Sequence, residues 1–140
     1  MSRRTSVAIV EAFWQEVWNA HDPDRIDDFV TEDFVLTDPG GAVEGREGFK
    51  AWVAAFLGQV RDLRLEVVES FQNEDGSRVA SRWVVHGRNN GLLGTEPDGR
   101  PVRFSGTAVW AVREDGRLRH AWVERAAWEL YRQLTGTAGR

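Results

Sequence analysis

The sequence predicts an α+β fold in which a few helices pack against one curved antiparallel sheet. Two patterns carry this prediction. Apolar residues recur with helical spacing up to about residue 58, and after that they alternate with polar residues as in strands. The third observation is size, because 140 residues with 41% hydrophobic side chains suit one hydrophobic core. We therefore expect a single domain over residues 1–140.

The first helix is predicted over residues 7–20. Its large apolar residues recur at offsets of three and four, which places them on one helical face. They are Val10, Phe13, Trp14, Val17 and Trp18. Asp22 and Pro23 then supply an N-cap and a first-turn proline, which predict a short second helix that ends near Thr31.

A brief strand is expected over residues 34–37, and Asp38-Pro39-Gly40-Gly41 predicts a turn after it. The third helix is expected to follow Gly45 and to end at Gly58. Its apolar stripe has the same spacing as that of the first helix. The stripe consists of Phe49, Trp52, Val53, Phe56 and Leu57.

The rest of the chain predicts four strands joined as a meander. Apolar and polar residues alternate near 63–67, 79–86 and 103–112, and a final strand is expected over about 117–126. Turn residues at 73–76 and 114–116 predict tight antiparallel hairpins, while a longer loop at 89–99 joins the middle strands. A short helix is expected at 128–134. Because sheets twist, this one can curl over the long helices and enclose an apolar pocket.

The composition argues against several kinds of function. The chain has no cysteine, which excludes a disulfide scaffold, a thiolate metal site and a cysteine nucleophile, and which fits a cytoplasmic protein. The net charge of −4 disfavours nucleic-acid binding, since phosphate affinity needs clustered cations. The longest apolar stretch, 53–57, is far shorter than the roughly 20 residues of a membrane span. We therefore expect no membrane association. The three histidines do not have the spacing of metal ligands, so we also expect no bound metal.

Several short motifs, in this order, resemble the NTF2-like superfamily. Thr37-Asp38-Pro39-Gly40-Gly41 is followed by Glu44-Gly45-Arg46-Glu47-Gly48-Phe49, and further similar motifs occur at 19–22, 61–64, 91–100 and 132–134. The superfamily includes ketosteroid isomerases, limonene epoxide hydrolases and SnoaL-like polyketide cyclases, and this chain is most similar to the SnoaL-like proteins. The resemblance implies an NTF2-like cone, in which a curved antiparallel sheet wraps around three N-terminal helices and an internal pocket. It also implies frequent homodimers and a reaction that needs no cofactor.

The resemblance makes Asp38 the first candidate for catalysis. Asp38 falls where ketosteroid isomerases place a general base in an Asp-Pro-x-Gly pattern. A carboxylate that is desolvated in an apolar pocket is a competent base near neutral pH. An aspartate before Pro-Gly-Gly also caps its own turn, so both roles stay open.

Two further acids are candidates for proton transfer. SnoaL-like cyclases have an aspartate four residues after a tryptophan on the last strand, but here the count from Trp122 gives Ala126. Glu124 shares a strand face with both residues and is the expected replacement. Glu66 is the second candidate, since polyether-type epoxide hydrolases use two acids with different roles. A salt bridge to an arginine is the structural alternative for each glutamate.

Substrate contacts are predicted for one amide and three indoles. Asn89 stands where the cyclase pattern Gly-Thr-His-x-Gly has a histidine, and its amide can bind a carbonyl or epoxide oxygen, although asparagines before glycine also form turns. Trp14 takes the place of an isomerase tyrosine. Trp110 and Trp122 are expected to line the pocket by stacking on a flat substrate. Core packing is the alternative for each indole.

These residues and the resemblance predict a cofactor-free acid/base enzyme that acts on a hydrophobic, polyketide-like small molecule. Cyclisation, isomerisation and epoxide opening all fit such chemistry. Two alternatives stay open because the fold by analogy hosts them too. One is a non-catalytic ligand-binding or dimerisation module, and the other is a cofactor-independent oxygenase of the SnoaL-like type. We also expect a homodimer through the open face of the sheet.

Overall fold

The computed structural model describes residues 5–136, and its first helix confirms the predicted one. The Thr5 hydroxyl accepts a hydrogen bond from the backbone N–H of Ala8 at 3.1 Å and caps the helix. The helix runs as α1 (Ser6–Phe13) and continues as a π-helical segment (Trp14–Asn19). Both tryptophans of this segment are buried.

Four further helical elements follow in the described part of the chain, one of which is a short 3₁₀ turn (Leu92–Gly94). A 3₁₀ helix (Pro23–Asp28) is shorter than the predicted second helix, because the first strand already begins at Val30. Helix α2 (Arg46–Gln59) follows Gly45 as predicted, and Gly45 has a φ of 86°, which favours glycine. Helix α3 (Ala127–Leu134) follows the last strand and packs against the sheet.

Six strands form one sheet. They are β1 (Val30–Asp38), β2 (Gly41–Glu44), β3 (Val60–Gln72), β4 (Arg78–Asn89), β5 (Pro101–Val112) and β6 (Leu118–Arg125). Their order in the sheet is β2-β1-β6-β5-β4-β3, so β3 to β6 are the predicted meander. Strand β2 was not predicted, because its four residues are too few to show an alternation.

One pair of strands departs from the predicted antiparallel sheet. Strands β1 and β6 run parallel, with Leu36 opposite Ala121 and Thr37 opposite Trp122. A parallel pair needs a long connection, and here the helix α2 and the strands β3 to β5 intervene in the chain. The pairing brings the carboxyl end of β1 beside the carboxyl end of β6.

The core lies between the inner face of the sheet and the helices. Phe13, Phe34, Phe49 and Trp110 are at least 98% buried. Their rings contact one another, with centroids 4.5 Å apart for Phe34 and Phe49 and 5.0 Å apart for Phe13 and Trp110. Aromatic pairs at these separations add to the stabilisation from buried area. No helix among residues 5–136 has the length and apolar character to cross a membrane.

Candidate active site

A cavity of about 40 Å³ lies between the helices and the inner face of the sheet. Its wall is mainly aromatic and includes five tryptophans, which are Trp14, Trp18, Trp52, Trp83 and Trp110. The other lining residues are hydrophobic except for Arg125. Sequence reasoning predicted Trp14 and Trp110 as pocket residues, and the structure places both at this cavity.

Three of these indoles bury N–H groups that have no acceptor. The Nε1 atoms of Trp14, Trp83 and Trp110 are inaccessible to solvent and have no hydrogen-bond partner. Leaving a buried donor unpaired costs about 1–3 kcal/mol for each group. Native structures leave few buried donors unpaired, so these three N–H groups are exceptions to the usual pairing.

Arg125 provides the only charge among the residues that line this cavity. Its guanidinium carbon lies 5.3 Å from the ring centroid of Trp52 and 5.8 Å from that of Phe56, so it covers these two rings in cation–π contacts. Its side chain is only 18% exposed. Sequence reasoning considered arginines only as salt-bridge partners of the two glutamates, although the alternation Ala121, Val123, Arg125 places Arg125 on the buried face of β6.

Asp38 lies at the end of β1 and makes two polar contacts. Its Oδ1 accepts a hydrogen bond from the backbone N–H of Gly40 at 2.9 Å, which is the turn-capping contact expected from Pro-Gly-Gly. Its Oδ2 accepts from Nη1 of Arg125 at 3.4 Å. The carboxylate is 18% exposed and is joined to the cavity through Arg125. Both roles that the sequence left open are therefore compatible with its position.

Glu124 and Trp122 share a strand face as predicted, but it is the outer face of the sheet. Trp122 is 39% exposed, and its ring stacks on that of His120 with centroids 3.9 Å apart. Glu124 is exposed and lines a separate surface groove of about 260 Å³. Because side chains alternate along a strand, the inward position of Val123 turns both neighbours away from the cavity.

Glu66 also lies away from the cavity. Its side chain is 57% exposed, and its Oε1 lies 3.5 Å from Nε2 of His86 on the neighbouring strand β4. The structure therefore does not bring Glu66 to Asp38 at the cavity. An exposed pair of this kind contributes little to stability.

Asn89 is fully buried but holds a loop rather than facing the cavity. Its Nδ2 donates to the carbonyl oxygen of Glu96 at 2.7 Å, and its Oδ1 accepts from the backbone N–H of Leu92 at 2.9 Å. These contacts close the loop between β4 and β5. The turn-forming role that the sequence left open explains its position fully. Among the described residues, 5–136, no group of three or more acidic, histidine or cysteine side chains has the geometry to hold a metal ion.

Comparison with known proteins identifies similar sequences and folds. The sequence profile of the SnoaL-like domain matches residues 10–121. A proposed SnoaL-like polyketide cyclase from Jannaschia sp. superposes with a TM-score of 0.85 at 19% identity, over 97% of this chain and 99% of the other. A proposed polyketide cyclase from Acidithiobacillus ferrooxidans gives 0.83 at 23% identity, over 99% and 100% of the two chains.

A third similar structure has a different description from the first two. It is a protein with a ketosteroid isomerase-like fold from Catenulispora acidiphila, solved with trimethylamine. Its TM-score is 0.75 at 17% identity, over 94% of this chain and 95% of the other. Identities this low establish the shared fold, and a comparison with curated protein sequences gives no significant match.

Proposed function

Because the chain belongs to the SnoaL-like domain family, we propose that it is a cyclase-like enzyme that transforms a hydrophobic small molecule by acid/base chemistry at the aromatic cavity. The observation that carries the proposal is the ion pair that Asp38 makes with Arg125, the charged residue that lines this cavity. A base and a cation beside an apolar cavity are the two groups that proton abstraction next to a carbonyl requires.

In the proposed reaction, Asp38 takes a proton from a carbon next to a carbonyl group. The electrons of the C–H bond move to the carbonyl oxygen and form an enolate, whose negative charge lies near the Arg125 guanidinium. The enolate carbon then attacks a second carbonyl carbon to close a ring, or it is reprotonated at another position to complete an isomerisation. Protonated Asp38 returns the proton in either case, so no external oxidant or reductant is needed.

Substrate binding has to widen the cavity. Sites for small molecules typically have volumes of about 300–1,000 Å³, whereas the cavity here measures about 40 Å³. Arg125 rests on Trp52 and Phe56. Moving the rings of Trp52 and Phe56 outward is the change we expect when a ligand enters, while Arg125 stays beside Asp38.

The variant Asp38→Asn tests the proposal. It keeps the size of the side chain, and we expect it to fold normally but to lose about 100-fold or more in turnover, the usual scale for a general base. The assay is product formation from a set of hydrophobic polyketone substrates, followed by mass spectrometry. Glu124→Gln, on the outer face of β6, is the matched control and should keep full activity. Unchanged turnover in Asp38→Asn would remove Asp38 from the reaction.

A non-catalytic binding module is the second candidate function. The observation in its favour is that Arg125 occupies one oxygen of Asp38 and the backbone N–H of Gly40 occupies the other. If the protein retains a ligand tightly and mass spectrometry detects no product, the binding function is supported. Detectable conversion would exclude it as the whole function.

We further propose a homodimer through the outer face of the sheet. An apolar row crosses this face from β3 to β6, because Phe71 pairs with Ala80, Ala80 with Val109, and Val109 with Trp122. Phe71 is 58% exposed, and Val109 and Trp122 are each 39% exposed. Light scattering at micromolar concentration should give twice the mass of the chain, and Trp122→Glu should reduce it to the monomer mass. A monomer mass for the unmodified protein would contradict this proposal.

A further inference from the structure

Four arginines form an exposed cluster at one end of the outer face of the sheet, which we call the arginine patch (Arg61, Arg64, Arg88 and Arg103). Arg61 on β3 lies directly opposite Arg88 on β4. His86 on β4 lies between Arg64 on β3 and Arg103 on β5. Residues that are opposite one another on neighbouring strands share a face of the sheet, and all four arginines are exposed. Because neighbouring strands are about 4.8 Å apart, the patch spans about 10 Å across three strands.

The arginines of the patch have no carboxylate partner. Within residues 5–136, seven other arginines have a carboxylate oxygen within 4.0 Å, whereas none of the four in the patch has one. The seven paired residues are Arg25, Arg46, Arg82, Arg100, Arg113, Arg125 and Arg132. Arg61 donates instead to the amide oxygen of Asn90 at 3.1 Å, and Arg88 donates to the backbone carbonyl of Gly99 at 3.2 Å. Neither acceptor carries a charge, so the positive charge of the patch is not neutralised by an ion pair.

The arrangement of these charges does not help the chain to fold. Like charges that lie opposite one another on neighbouring strands are destabilising, and Arg61 and Arg88 are placed in this way. Elsewhere the same two strands pair opposite charges, since Glu69 on β3 accepts a hydrogen bond from Arg82 on β4 at 2.7 Å. An anionic group that bound to the patch would remove the repulsion between its arginines.

The chemistry and spacing of the patch fit the carboxylates of a protein helix. A guanidinium can donate two parallel hydrogen bonds to one carboxylate. Acidic residues three or four positions apart on a helix are about 5–6 Å apart, which is close to the spacing of arginines on neighbouring strands. One acidic helix face can therefore contact several arginines at once. Sites for small molecules bury most of the ligand, so these exposed side chains suit a macromolecular surface better than a free anion.

The positive charge is confined to one end of the outer face. Toward the middle of the sheet, the face carries the exposed carboxylates of Glu66, Glu69 and Glu124. These carboxylates would repel an extended phosphate backbone, and nucleic-acid binding needs several clustered cations along that backbone. The apolar row proposed for the homodimer lies beyond them. Arg103 is six residues from Val109 along β5, which corresponds to about 20 Å, so the patch is separate from that row.

We infer that the arginine patch docks an acidic protein surface, in which one helix of the partner presents its carboxylates to the four guanidiniums. None of these arginines lines the aromatic cavity, so docking and the proposed reaction use different residues. Attraction between the two surfaces speeds their encounter and becomes weaker as salt screens the charges. The partner of this surface is therefore distinct from the hydrophobic substrate of the proposed reaction.

The test uses a stapled helical peptide of about 20 residues whose glutamates recur every three and four residues along one face. A second peptide has glutamine at the same positions, and a short DNA duplex is the third probe. Each probe carries fluorescein, and fluorescence anisotropy measures its binding to the full chain. We expect the glutamate peptide to bind at about 20 mM salt and to bind about 5-fold or more weakly at about 200 mM salt. The glutamine peptide should not bind.

The variant Arg64→Gln/Arg103→Gln locates the binding. Neither side chain has a hydrogen bond or an ion pair within the described residues, so we expect normal folding and binding that is about 5-fold or more weaker at the lower salt concentration, the scale of two exposed ion pairs. Arg113→Gln/Arg119→Gln removes two charges from the opposite end of the sheet and is the matched control. If the test variant does not fold, NMR of the unmodified protein decides, since the glutamate peptide should then shift the backbone signal of His86 and leave that of Trp122 in place.

Four binding results would overturn the inference: no binding of the glutamate peptide at the lower salt concentration, equal binding of the glutamine peptide, an equal loss of binding in the control variant, or tighter binding of the DNA duplex. A lower mass of Arg64→Gln/Arg103→Gln than of the unmodified protein in light scattering would also overturn it, because the patch would then belong to a contact between two copies of this chain. The probes need no turnover, so failure of the proposed reaction leaves the docking surface intact, and failure of docking leaves the reaction intact.

Discussion

The ion pair of Asp38 and Arg125 can be measured by a double-mutant cycle. Asp38→Asn and Arg125→Met are made separately and together, and the free energies of unfolding give the coupling between the two side chains. Methionine keeps a long apolar side chain against Trp52 and Phe56 but removes the charge. The cycle therefore isolates the interaction with the carboxylate from the packing of the side chain.

The structure sets the size of the expected coupling. The Nη1 and Oδ2 atoms are 3.4 Å apart, and two unit charges at this distance attract by about 5 kcal/mol at an effective dielectric constant near 20. Each side chain is only 18% exposed, so the hydration that both charges lose offsets most of this attraction. We expect a net coupling of about 1–2 kcal/mol, above that of exposed pairs and below that of fully buried ones.

The assay is urea unfolding at pH 7, followed by tryptophan fluorescence and circular dichroism. Glu69 and Arg82 provide the control cycle, because their Nε–Oε2 distance of 2.7 Å is shorter but their side chains are 51% and 56% exposed. We expect this exposed pair to couple by less than about 0.5 kcal/mol. If it couples as strongly as Asp38 with Arg125, then burial does not strengthen the pair at the cavity and our reasoning is wrong.

Three other changes test single residues. Gly106→Ala places a Cβ 2.3 Å from ring carbons of Trp83, so we expect it to lower the free energy of unfolding by about 2 kcal/mol or more. Asn89→Ala leaves buried backbone groups of its loop unpaired and should cost about 2–4 kcal/mol in urea unfolding, without changing ligand affinity. A hydrogen bond from Arg113 lowers the pKa of Asp115 to about 2, so stability from this group is present above pH 4 and is lost as the pH falls toward 2. Asp115→Asn should therefore lose less stability than the unmodified protein across that range, as measured by urea unfolding at a series of pH values.

Each of these changes has a control or a contradicting result. Gly58→Ala, where no atom lies within 4 Å of the added Cβ, should be neutral or slightly stabilising, and an equally mild Gly106→Ala would contradict the close packing at Trp83. Asn89→Ala with normal stability but weakened ligand binding would restore its role as a substrate contact. If the free energy of unfolding changes with pH in the same way for Asp115→Asn and for the unmodified protein, the carboxylate of Asp115 does not contribute to stability as we expect.

The sequence predicted the helices and the meander because apolar residues that are buried on one face of a helix or strand recur at regular intervals along the chain. The alternation in β5 puts Phe104, Ala108 and Trp110 on one face, and the structure buries all three. The same reasoning missed β2, whose four residues are mostly exposed. It also overextended the second helix, since it could not show that β1 would begin at Val30.

Periodicity was less reliable for the candidate site. It grouped Trp122 and Glu124 correctly on one face of β6, but Trp122 was expected to stack on a flat substrate in the pocket, and this face lies outside. The inward residues are instead the smaller Ala121 and Val123, because large rings from the helices and from Trp110 already fill the space opposite them. Which face is inside thus depended on the residues packed across the core.

By itself the sequence determined the α+β class, the order of most elements, the aromatic character of the pocket and the place of Asp38 at a turn after a strand. Only the tertiary structure decided that Asp38 meets Arg125, 87 residues further along the chain. The physical reason is that their contact depends on the parallel pairing of β1 with β6, a long-range arrangement that leaves no local pattern. The unpaired indole N–H groups of Trp14, Trp83 and Trp110 likewise became visible only when three distant segments of the chain were packed together.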